Sequence, residues 1–105
     1  MARVDSTRAI TIPLDEEACV LALGPYREGL SLRPESRAAI ERAPKSPIGI
    51  PVRDVSCTLA DAADMLDYFR SAADVLTTLG KDGAPACARA FDNVRHALRV
   101  AGVKV

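Results

Sequence analysis

A chain of 105 residues with 14 basic and 14 acidic side chains is one domain's worth of protein with zero formal charge. Its 49% hydrophobic and 27% charged residues exclude a wholly disordered chain, and its longest apolar run, Ala18 to Leu23, is too short to span a bilayer. The absence of a basic excess argues against binding driven by phosphate neutralisation, and four aromatic residues leave little for stacking bases or sugars. Arg exceeds Lys by 11 to 3 and Ala is abundant, a composition that suggests a GC-rich bacterial genome. The opening MARVDSTR has no apolar core for a secretory signal, and the three cysteines, Cys19, Cys57 and Cys87, are widely spaced and odd in number. Both features fit a reducing cytoplasm.

Residues 1–7 are polar and expected to fray. The alternation of Arg8 to Ile12, rich in β-branched residues, predicts a short strand that Pro13 ends. The apolar run Cys19–Leu23 fits a helix or a buried strand; acidic residues from Asp15 to Glu17 suit a helix's first turn and Gly24-Pro25 its stop, so a helix over Leu14–Leu23 is expected. The span from Tyr26 to Arg33 reads as irregular, and Pro34 opens a second helix, Glu35 to Ala43, closed by Pro44. The stretch 44–51, with three prolines and Gly49, reads as a rigid loop. Val52 to Cys57 is a second strand, and Thr58 is a helix N-cap with Asp61 three positions on. A long helix over Leu59–Leu79 follows, then a turn through Gly80 and Gly83, then a final helix from Pro85 to about Ala101, stopped by Gly102.

The two halves match. Ile10–Ala18 aligns with Val55–Ala63 at an offset of 45, and the Pro34 helix aligns with the Pro85 helix at an offset of 51. Either the strand-helix-helix unit is duplicated, or Ala-rich helical sequence matches itself through shared helix-start chemistry. The long helix carries a seam, Leu59, Ala62, Leu66, Phe69, Ala73 and Leu76, with alternating spacings of three and four. The final helix repeats it with Cys87, Phe91, Val94, Leu98 and Ala101. The expected fold is therefore α+β and helix-rich: two short strands, about four helices, and a C-terminal antiparallel αα-hairpin within a single domain.

No motif for catalysis or metal binding stands out. There is no Cys-x-x-Cys and one histidine, His96, which sits nine residues from Cys87 and so on the opposite side of a helix. Each cysteine reads as a small buried apolar residue. No G-x-S-x-G elbow or phosphate loop occurs. Asp61, Asp64 and Asp67 form an acidic stripe, read as a solvated helix face. A second apolar stripe on the long helix, Met65, Ala72, Val75 and Leu79, is the candidate interface with another protein or a second copy. Arg89, Arg95, His96 and Arg99 form a basic face for an acidic partner or nucleic acid. The chain thus reads as a non-catalytic cytoplasmic interaction module, homodimeric, with no cofactor and no membrane association. The alternative is a nucleic-acid-associated regulator using the arginine face, and an enzyme without a recognisable motif comes third.

Overall fold

The structure, a computed structural model, describes residues 7–24, 32–44 and 51–105. The expectations for the N-terminus, the segment after Gly24 and the proline-rich loop fall largely outside those residues. The element order is β1 (Ala9–Asp15), α1 (Glu16–Leu23), α2 (Pro34–Arg42), β2 (Val52–Thr58), α3 (Leu59–Thr78) and α4 (Ala84–Val100). The fold is α+β and helix-rich, a two-stranded antiparallel sheet with four helices, and α3 packs on α4.

Pro13 does not end β1. The N–H of Leu59 donates to Arg8 O and that of Glu16 to Pro51 O, so the even-numbered residues of β1 turn their backbone groups into the ladder. Pro13 stands at an outward-facing position where the ladder needs no donor, and its carbonyl accepts from Asn93 Nδ2 at 3.0 Å. The strand therefore runs on to Asp15 and α1 starts at Glu16, two residues later than the acidic run implied.

The register carries an internal two-fold. Both strands are seven residues long and each leads into a helix without a loop. Matching their last residues, Asp15 and Thr58, places Ile12 on Val55, and Ile12 pairs with Val55 across the sheet. Each flanking pair then maps onto the other: Thr11 opposite Ser56 becomes Pro13 opposite Asp54. The structural match differs from the sequence match by two residues, one full pleat, which leaves the in-out alternation unchanged. The helices follow the same symmetry. α4 packs on β1 and α2 on β2, while α1 meets α4 and α2 meets α3.

One face of the sheet is buried beneath the helices through Ile12, Leu14, Val55 and Cys57. Phe69, Met65, Ile40, Val94 and Leu98 complete the core below it. α3 starts where Thr58 Oγ1 accepts from the Asp61 N–H at 3.1 Å. α3 and α4 end alike. Gly80 and Gly102 adopt φ of 65° and 95°, and the next residues, Lys81 and Val103, donate back to Leu76 O and Leu98 O. That left-handed turn satisfies the last carbonyls and suits glycine, which has no Cβ to clash.

Candidate nucleic-acid interface

Burying one face of a two-stranded sheet leaves the other to solvent. Ala9, Thr11 and Pro13 of β1 and Asp54 and Ser56 of β2 are exposed there. At its middle, Thr11 Oγ1 and Ser56 Oγ lie 3.3 Å apart across the strands. Beside β1 a groove of about 450 Å³ runs between the strand and α4, lined by Arg8, Thr11, Pro13, Asn93, His96 and Val100 among others. Arg8 sits at one end, where its Nη1 donates to Ala101 O at 3.3 Å. Asn93 is tied to Pro13, and Arg89 Nε donates to Asp15 Oδ2 at 2.7 Å. α4 thus presents Arg89, Asn93 and His96, spaced four and three apart, alongside the ribbon.

The basic face expected from sequence is divided. His96 and Arg89 lie on the ribbon side of α4. Arg95 packs its guanidinium 5.4 Å from the Phe91 ring centre and lies 3.9 Å from Asp92. Arg99 Nε donates to Val105 O at 2.8 Å. The second apolar stripe is divided as well. Met65 and Ala72 are 0% and 2% exposed, within the core, so they are not a surface in the folded chain. Val75 is half-buried, and Leu79, at 47% exposed, remains on the surface. α3 is enclosed on more than one side because α2 and β2 as well as α4 pack on it, so its second stripe faces protein at Met65 and Ala72 and reaches the surface only towards Leu79.

The acidic stripe is not a solvated face either. Asp64 Oδ2 accepts from the Arg33 N–H and the Ser36 hydroxyl, both at 2.9 Å, and so caps the N-terminus of α2 from another helix. Asp61 is buried beside Arg33, 3.5 Å from its guanidinium, and only Asp67 is exposed. Two structural arginines have no distinct sequence signal. Arg37 donates to the carbonyls of Ala22, Leu23 and Gly24 at 2.9–3.3 Å, closing the end of α1. Arg53 is buried, donates through Nε and Nη2 to both Glu16 carboxylate oxygens at 2.5 and 2.7 Å, and reaches Ile40 O. The Glu16 hydrogen bond raises its pKa further, against the opposing effect of burial. The strand period does place Arg53 on the same side as Val55 and Cys57, which is the one clue to its burial.

Cys19, Cys57 and Cys87 are free and buried, and burial pushes each thiol from 9.0 up to about 11. A protonated, enclosed thiol is a poor nucleophile. Among the described residues no group of three or more His, Cys, Asp or Glu is placed to hold a metal ion, and no helix is long and apolar enough to cross a membrane. No family model, curated protein or solved structure matches the chain.

Proposed function

We propose that the protein is a duplex-DNA-binding regulator that lays its β1–β2 ribbon in the major groove. The observation that carries this reading is the ribbon itself: one face packed on the helices, the other exposed and carrying Thr11, Asp54 and Ser56 beside Ala9 and Pro13, and a register symmetric about Ile12 and Val55. Two strands about 4.8 Å apart, with side chains, fit a groove about 12 Å wide that admits a two-stranded ribbon. Thr11 and Ser56 then meet base edges, with Arg8 and His96 beside them at the phosphate backbone. Zero net charge leaves little long-range attraction, so recognition rests on base edges more than on counterion release.

The test is selection from a pool of random duplexes with the purified full chain at about 50 mM salt. Enrichment of a defined motif, lost in Thr11→Glu and Ser56→Glu variants that keep their helical circular dichroism, is the expected result. No enrichment by the wild-type chain overturns the reading.

A self-associating protein-interaction module is the second reading. Exposed Val20 and Leu79, 58% and 47% accessible, favour it. The sheet adds nothing to it, because the two strands pair with each other inside one chain. Light scattering separates the cases: a mass near 11.2 kDa at micromolar concentration rejects the dimer.

A further inference from the structure

The outer edge of β1 is open where it borders the groove beside α4. The even-numbered residues bond to β2, so Ala9 and Thr11 turn their N–H and C=O groups outward, where neither makes a backbone hydrogen bond with a described residue. Open edges are common in small sheets, but this one has a particular setting. Ala97 and Val100 of α4 form the facing wall, and Val100 is 75% exposed. The described lining holds two basic side chains, Arg8 and His96, and no carboxylate. Arg8 makes no ion pair with a described residue and donates through Nη1 to Ala101 O, which leaves most of its N–H groups for a ligand. Its full positive charge outweighs the roughly half-unit negative charge at the end of α4, so this end of the groove stays positive. The other end is shut: Pro13 has no N–H, and its carbonyl already accepts from Asn93 Nδ2 at 3.0 Å.

We infer that this groove binds the carboxyl-terminal end of an extended peptide, added to β1 as a short antiparallel third strand with its terminal carboxylate at Arg8. The usable edge runs only from Ala9 to Thr11, enough for about four backbone hydrogen bonds. That is little to hold an internal segment, whereas a chain end adds a charge for which Arg8 has donors to spare. The direction follows from the position of Arg8 before the strand: the last residue of the peptide lies opposite Ala9 and the third-last opposite Thr11. One carboxylate oxygen then accepts from the Ala9 N–H and the other from the Arg8 guanidinium. Residues opposite one another project to the same side, so the penultimate side chain joins Ile10 against Ala97 and Val100 and is apolar. Its two neighbours project with Ala9 and Thr11 towards solvent and are unrestricted. The inference does not rest on the DNA-binding reading.

An array of random short peptides, tethered at the amino end with free carboxyl ends, is probed with the purified full chain. An apolar residue is expected to be enriched at the penultimate position. The strongest peptide, remade with a fluorescent amino end, is expected to bind about tenfold more weakly as its carboxyl-terminal amide, and about tenfold more weakly to Arg8→Gln, in polarisation titrations. Val100→Asp should weaken it to a similar extent, with helical circular dichroism unchanged in both variants. In the wild-type chain, the Ala9 and Thr11 amides should gain protection from hydrogen exchange when that peptide is added, a readout that needs no variant to fold. Absence of any binder, no preference at the penultimate position, equal binding of acid and amide, or unchanged exchange at Ala9 and Thr11 each overturns the inference. The duplex selection tests the DNA reading by itself, so either can fail alone.

Discussion

The two halves share an order of elements and a sheet, yet they are held together differently. In the second half the helices are long and end on their own residues: α3 has 20 residues and α4 has 17, Thr58 caps the first, and both end in glycine turns. The first half has helices of eight and nine residues, neither with a side-chain N-cap of its own. Helices that short are marginal in water. Their ends are satisfied from elsewhere, Arg37 at the last carbonyls of α1, Asp64 of α3 at the start of α2, and Arg53 of β2 at Glu16. Short helices can thus be held by polar side chains from neighbouring elements, Arg37 from α2 and Asp64 and Arg53 from the second half.

Several substitutions break or sharpen that contrast. Phe69→Asp places an unpaired carboxylate where the side chain is fully buried in the core, and the whole domain should unfold, seen as loss of helical circular dichroism at all temperatures. Leu66→Asp, at a half-buried site on the same helix, should be milder. Alkaline pH should come next, because three thiols act in concert. Their folded pKa of about 11 lies above the ordinary 9.0, so the unfolded chain loses protons first, and stability should be full below pH 9 and fall as pH rises through about 11. Urea melts on either side of that window measure it, and replacing Cys57 and Cys87 with alanine should flatten the slope. Equal melts at pH 8 and 10.5 would contradict it.

Glu16→Ala leaves Arg53 buried without its carboxylate, and should cost about 3 kcal/mol. Hydrogen exchange should show the loss in α1 and α2 ahead of α3 and α4; a uniform loss would make the halves equally dependent. Arg37→Ala should cost about 1.5 kcal/mol, since three carbonyls lose a charged donor, and should open α1 enough for iodoacetamide to label Cys19 before Cys87. Asp64→Ala should cost about 1 kcal/mol, the size of a helix cap, and a change within 0.3 kcal/mol in the melt would show that α2 does not need it.

What local chemistry controls was legible in advance: the seams of α3 and α4, the Thr58 cap, the Pro34 helix start and the glycine stops each depend on neighbours within one turn of chain. The order strand-helix-helix in each half was legible for the same reason, although aligning helix starts placed the two strands one pleat away from their register in the sheet. Sequence by itself determined the class of most elements, because hydrophobic period and cap chemistry are short-range, while the apolar run of α1 fitted a helix or a strand. Only the tertiary structure decided that neither stripe of α3 is left to solvent along its length, since α2 and β2 pack on the helix as well as α4. Only it gave the acids and arginines their tasks. Asp64 caps α2 from 28 residues beyond Ser36, and Arg53 meets Glu16 at a separation of 37, distances over which no local period carries information. The ribbon's exposed face was decided there too: pairing β1 with β2 inside one chain turned two marginal strands into a single two-sided element, with one side for the core and the other exposed.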